Sequence, residues 1–224
     1  VYPLCLMADA YRERALPTLS VLERLRCLRR EHVPYASHYC EENAYKLVEA
    51  LYRDFSLPDH AVFAVFISND CKSTPVWKQR LGNGRCPLMW DYHVITLVNV
   101  GAGDEGGMWA FDQDTTLPFP CEGLRYIEES FHPEMQLDDK YRQRFRVVPG
   151  RDYLEYFSSD RSHMKDFDAA QPPWPLIRGC RAPSDMRLGL YVDVHQSSSG
   201  EDVKKEQGCG KILSIAELIS FVSP

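Results

Sequence analysis

Residues 89–100 read MWDYHVITLVNV, and Gly101 closes the run. Aromatic and β-branched residues dominate it, which predicts a strand. Two titratable groups, Asp91 and His93, stand inside this apolar stretch. Side chains two apart on a strand share a face, so one unbroken strand would turn Asp91 and His93 to one side and Trp90, Tyr92 and Val94 to the other. The glycine-rich stretch GAGDEGG (101–107) and the following MWAFDQD (108–114) predict a turn into an antiparallel partner strand. This hairpin sets the expected class: an α/β chain of the α+β type, with a mostly antiparallel sheet flanked by helices.

Upstream, HAVFAVFIS (60–68) is a nearly continuous apolar run and predicts a buried strand, while TPVWKQRLGNGRCP (74–87) reads as a loop or hairpin connection. CEENAYKLVEALYRDF (40–55) predicts a helix with Ala44, Leu47, Val48 and Leu51 on its buried stripe. Its first turn holds Glu41 and Glu42, where the helix dipole favours negative charge. TLSVLERLRCLRREH (18–32) predicts an amphipathic helix, with Pro17 before it, Thr18 or Ser20 as its cap and Pro34 after it.

Downstream, 123–131 and 137–146 are expected to be helical, RFRVVPG (144–150) a strand, and RDYLEYFSSDRSHMKDF (151–167) a helix ending in polar turns. AAQPPWPLIRG (169–179) and HQSSSGEDVKKEQGCG (195–210) read as surface loops. ILSIAELISFV (212–222) predicts a last helix capped by Ser214 with Glu217 three residues on. The domain expectation is an N-terminal extension over 1–33 and a single domain over 34–224.

At 224 residues and 44% hydrophobic, the chain can bury a full core. No apolar run approaches the roughly 18 residues of a membrane span, and the opening VYPLCLMADAY lacks the marks of a secretory signal. A net charge of −6 and a pI near 5.7 disfavour nucleic acid as a partner, the cluster ERLRCLRREH being the one concentrated basic patch. The eight cysteines show no CxxC pair and no zinc-type spacing, so they read mostly as buried free thiols of a reducing compartment.

Cys40 lies where a loop turns into a helix. Unpaired N–H groups and the positive dipole end there lower a thiol's pKa, although Glu41 and Glu42 pull the other way. Such a thiol needs a base, which His93 offers. One hairpin later, Asp112 or Asp114 can fix the imidazole's tautomer while the imidazole serves the nucleophile. Each residue also has a plainer reading, as an inert thiol, a structural strand histidine and a turn aspartate.

The segments YCEENAYKL, AVFISND with PVWKQ, WDYHV, FDQDTTLPFP, KYRQRFRVV and YFSSDRSHMKD, in this order from Tyr39 to Lys165, resemble the protein N-terminal glutamine amidohydrolases. The likeness continues weakly into the last helix, finds no motif in the first 33 residues and departs over 180–210. It implies a papain- or transglutaminase-like cysteine hydrolase core that converts an N-terminal Gln into Glu and feeds the arginylation branch of the N-degron pathway. It implies Cys40 as nucleophile, His93 as base and Asp112 rather than Asp114 as orienting acid. It implies no metal or organic cofactor, with proteins or peptides bearing N-terminal Gln as partners. The expected enzyme is a cytoplasmic or nuclear monomer.

Restriction to a chain terminus calls for a group that holds an α-ammonium, and Asp91, Glu42 and Asp160 are candidates. Asp91 also reads as a hydrogen-bonding neighbour of the catalytic groups. The SSDRSHMKD run, with Arg161 and His163, reads either as a substrate-pocket loop or as a structural staple. A papain-like protease, a transglutaminase and a non-catalytic reader of N-terminal residues are the competing functions.

Overall fold

The computed structural model describes residues 19–101, 106–165, 167–195 and 208–223. The expectations for 1–18 (with Cys5, Pro17 and Thr18), for the tip of the GAGDEGG turn and for most of the 195–210 loop lie outside the described residues. In chain order the elements are α1 (Val21–Arg26), α2 (Cys40–Phe55), β1 (Val62–Ser68), β2 (Thr74–Val76), β3 (Leu88–Trp90), β4 (His93–Asn99), β5 (Met108–Phe111) and β6 (Cys121–Glu122). Then follow α3 (Gly123–Phe131), β7 (Arg144–Pro149), α4 (Gly150–Tyr156), β8 (Ser158–Ser159), β9 (Ile177–Arg178), α5 (Leu188–Val192), β10 (Lys211–Leu213) and α6 (Ile215–Val222).

One antiparallel sheet in the order β10-β7-β1-β4-β5-β6 carries the fold. β4 lies inside it, and His93 through Val98 are all buried because both faces are covered. Val94 and Val98 share a core with Leu47, Val48 and Leu51 of α2. Ile95 and Leu97 pack with Tyr126, Ile127 and Leu218, from α3 and α6. This two-sided cover explains why β4 is apolar without alternation. The stripe read from the sequence is thus the face that fixes α2 on the sheet, and truncating a residue such as Leu47 to Ala would cost about 2–5 kcal/mol.

The expected strand over 89–100 is interrupted. β3 pairs Trp90 with Thr74 in a separate two-stranded sheet with β2, whereas β4 pairs His93 with Ile67 of the main sheet. Asp91 and Tyr92 make the bend between them, with Asp91 Oδ1 accepting the Tyr92 N–H at 2.9 Å. The parity expectation therefore fails at Trp90, whose ring stacks on His93 with centroids 4.9 Å apart and planes 19° off parallel. A change of pairing partner resets the alternation of faces.

Two further expectations are corrected. Residues 137–146 form a short 3₁₀ turn (Asp139–Tyr141) and the start of β7, not a helix. The strand is favoured because Phe145 and Arg146 extend the sheet beside Ile67 and Phe66. The buried Arg146 guanidinium also finds carbonyls of Tyr191, Asp193 and Cys209. No disulfide joins two cysteines among the described residues, but Cys27, Cys71, Cys86 and Cys180 are exposed and only Cys40, Cys121 and Cys209 are buried.

α1 is shorter than its apolar pattern. A capping box between Ser20 and Glu23 starts it, and Cys27 ends it. Leu25, Leu28 and Val33 nonetheless join the core around α2. At the other end of the chain, Ser214 and Glu217 form the expected capping box of α6. No helix among the described residues is long and apolar enough to cross a membrane.

Candidate active site

Cys40 opens α2, whose N-cap Tyr39 supplies no side-chain bond to the first turn. Two other anchors fix that turn. The Asn43 amide closes on Ala36, donating to its carbonyl and accepting its N–H, both at 2.8 Å. Tyr153 donates to the Glu41 carbonyl at 2.7 Å. The thiol sits at the floor of a cleft of about 980 Å³, lined among others by Trp90, Tyr92, His163, Met164, Phe167 and Leu188. Cys40 is only 5% exposed.

Burial pushes the Cys40 thiol well above its ordinary pKa, and the negative charges of Glu41, Asp114 and Asp91 add to that; a backbone hydrogen bond from Val94 pulls the other way. Of the two opposed influences expected at the helix start, the lowering by the helix end does not prevail. Desolvation and a carboxylate with Oε2 at 3.8 Å from Sγ outweigh the dipole.

His93 is fully buried, and its Nε2 lies 3.0 Å from Asp112 Oδ1. Burial alone would lower the imidazole pKa, but the Asp112 carboxylate more than offsets it and the net direction is upward. Burial disfavours the Asp112 carboxylate too, yet His93 and the donors around it hold its pKa below the usual range. Those donors are the Asp114 N–H on Oδ1 at 2.8 Å, and Gln79 Nε2 at 3.0 Å and Tyr126 Oη at 2.8 Å on Oδ2. His93 Nδ1 is buried without a hydrogen-bond partner, so thiol and imidazole are not bonded in this state.

Of the two aspartates left open by the hairpin, Asp112 meets the imidazole, while Asp114 accepts from Tyr35 Oη at 2.6 Å. Burial and the neighbouring Asp112 charge raise the Asp114 pKa. Ligand-capable atoms of His93, Asp112 and Asp114 fall within 4.8 Å of one another. With four donors already converging on Asp112, a cation there would have to displace the bond that orients His93, so the cluster suits hydrogen bonding better than metal ligation.

The remaining candidates separate. Glu42 is fully buried and held by Arg161 through two bonds, Nε to Oε1 at 2.7 Å and Nη2 to Oε2 at 2.8 Å, with Trp174 Nε1 a third donor at 2.6 Å. Asp160 Oδ1 accepts the Ser162 N–H at 2.9 Å within its own turn. Asp91 and His163 line the cleft. In the SSDRSHMKD run Arg161 staples the loop to α2, while His163 and Met164 line the cleft.

The profile of the N-terminal glutamine amidase family matches residues 35–222. The chain belongs to that family. Among its relatives, each called "Protein N-terminal glutamine amidohydrolase", one from Danio rerio is 47% identical over 156 residues, 70% of this chain and 76% of its own. One from Homo sapiens is 42% identical over 169 residues, 74% and 80% of the two chains. One from Bos taurus is 36% identical over 190 residues, 85% and 87%.

Several residues of this site escaped the sequence reading. Gln79 and Tyr126 hold Asp112, and Trp90 braces His93. Glu41, expected to be favoured by the helix dipole and to oppose the thiolate, is fully buried beside the thiol. A signal for it existed. Glu41 lies two helical turns before Val48, on the apolar stripe, where a charge is costly unless it has work to do.

Proposed function

We propose that this chain hydrolyses the side-chain amide of an N-terminal glutamine in proteins or peptides, giving glutamate and ammonia. Cys40 is the nucleophile, His93 the base and Asp112 the orienting acid. The observation that carries the roles is the pairing of His93 Nε2 with Asp112 at 3.0 Å, which leaves Nδ1 unsatisfied in a chain whose buried Cys40 floors the cleft. The names and identities of the amidohydrolase relatives support the substrate.

In this reading His93 Nδ1 takes the Cys40 proton as Sγ attacks the glutamine δ-carbon. A thiol held protonated by burial requires such a partner. The carbonyl oxygen becomes an oxyanion facing N–H groups at the start of α2, that of Cys40 among them, each worth about 3 kcal/mol to the transition state. The imidazolium returns its proton to the departing amine, which leaves as ammonia, and a γ-glutamyl thioester remains. His93 then takes a proton from water, the hydroxide attacks the thioester, and the C–S bond breaks to release glutamate and regenerate the thiol. Asp112 stabilises the imidazolium at both stages. The same reading has the chain act as a cytoplasmic or nuclear monomer supplying N-terminal Glu to the arginylation branch of protein degradation.

The test is mass spectrometry of a peptide beginning with Gln, beside peptides with internal Gln and with N-terminal Asn. The expected result is amide-to-acid conversion of the first alone, abolished in Cys40→Ala. Backbone cleavage, release from internal Gln, or binding without turnover would replace this reading with a protease, a transglutaminase or a reader.

A further inference from the structure

Tyr92 donates to Glu41 Oε2 at 3.0 Å, while Oε1 has no hydrogen-bond partner and lies 3.4 Å from His163 Nε2. Three cleft-lining residues, Cys40, Tyr92 and His163, therefore bracket one fully buried carboxylate. The other acids of the region are committed elsewhere or stand in solvent: Glu42 to Arg161 and Trp174, Asp160 to its own turn, and Asp91 exposed at the cleft's edge. A buried carboxylate with an unsatisfied oxygen next to a nucleophile is the arrangement expected of a group that waits for a cation.

We propose that Glu41 receives the α-ammonium of the substrate, with the Tyr92 hydroxyl oxygen, which also faces His163 Nε2 at 3.3 Å, as the flanking acceptor. This rests on the proposed deamidation and names the group that restricts it to a chain terminus. The covalent distances agree. In glutamine the α-nitrogen is four bonds from the δ-carbon, at most about 5 Å away. An ammonium on Glu41 thus keeps the amide within attacking distance of a thiol 3.8 Å from that carboxylate. The ammonium N–H groups take the place of His163 Nε2 beside Glu41 Oε1 and the Tyr92 oxygen. His163, one-fifth exposed at the cleft, has room to yield.

A consequence follows for the nucleophile. Glu41, Asp114 and Asp91 are the carboxylates that disfavour the Cys40 thiolate. A bound ammonium cancels the nearest of them, so the thiol is eased toward its reactive form only when a free N-terminus is seated.

The test compares ammonia release from a Gln-first peptide and from its des-amino analogue, which lacks only the α-amine, by wild type and Glu41→Gln. Wild type is expected to favour the amine by about 10³-fold or more, since a site built to bind a polar group rejects the analogue that lacks it. In Glu41→Gln that ratio is expected to collapse to within about tenfold, through loss on the amine peptide alone, and iodoacetamide is expected to alkylate Cys40 faster at neutral pH. An unchanged ratio, or equal loss on both peptides, would overturn the assignment. If Glu41→Gln does not fold, Glu41→Asp keeps the charge but withdraws it, and an unchanged ratio there overturns the assignment equally. A wild-type chain that releases no ammonia from the Gln-first peptide would instead remove the proposed reaction itself.

Discussion

His93 Nε2 and Asp112 Oδ1 are 3.0 Å apart with both side chains fully out of solvent. That one bond selects the tautomer: a neutral ring bonded in this way carries its proton on Nε2 and keeps a lone pair on Nδ1. Everything proposed for the thiol depends on which nitrogen is left over.

Replacing Asp112 by Asn is expected to lower kcat by about 10³- to 10⁴-fold, as loss of an orienting carboxylate does. Asp114→Asn, which touches Tyr35 and not the imidazole, is expected to stay within about tenfold of wild type. Steady-state ammonia release by the two variants checks both, with melting curves confirming that each is folded.

The pair also writes a pH signature on stability. His93 has a raised folded pKa, so its contribution is complete below the unfolded value and fades as pH climbs through the folded one. Asp112 has a lowered folded pKa, so its contribution is complete above the unfolded value and fades as pH falls through the folded one. The melting temperature of wild type minus that of Asp112→Asn is therefore expected to be largest between about pH 4 and pH 6.5 and to shrink on either side. A difference that stays constant below about pH 4 and above about pH 6.5 would show that the pair is not charged.

Arg161→Met strands Glu42 as an unpaired buried charge and is expected to cost about 3–5 kcal/mol in urea unfolding. Adding Glu42→Gln to the same protein removes that charge and is expected to recover most of the loss. Recovery identifies the pair as a staple between the loop and α2; lack of it would mean that Arg161 has a separate role.

Trp90→Leu keeps an apolar group beside His93 but removes the stacked ring. The expected result is a drop of about tenfold in kcat with KM nearly unchanged, because only the orientation of the imidazole is loosened. A rise in KM of the same size would move Trp90 into substrate binding instead.

Much of this architecture was readable in the residues, and the failures have physical causes. α2 and β4 announce themselves because their periods, 3.6 and near-continuous apolar, are set by local geometry and by cover on both faces. The break at Asp91–Tyr92 is not local. It arises because Trp90 pairs with Thr74 while His93 pairs with Ile67, and alternation carries no record of which distant strand a residue will choose. The same holds for β7, whose Arg146 looks like a surface residue until the carbonyls of Tyr191, Asp193 and Cys209 surround it. His93 and Asp112 were nameable as types. That four donors would converge on Asp112 depends on Gln79 and Tyr126, brought in by a hairpin and a helix from either side in sequence.

The first turn of α2 places three consecutive side chains, each buried and each answering to a different part of the chain: Cys40 to Val94, Glu41 to Tyr92 and His163, Glu42 to Arg161 and Trp174. A helix turns about 100° per residue. Adding or losing one residue between the Ala36 anchor and Glu42 would hand every side chain its neighbour's partners at once, setting a glutamate where the thiol belongs. In any set of related chains, this short segment should therefore be the place where length never drifts, while the exposed loop residues 83–86 are free to grow or shrink.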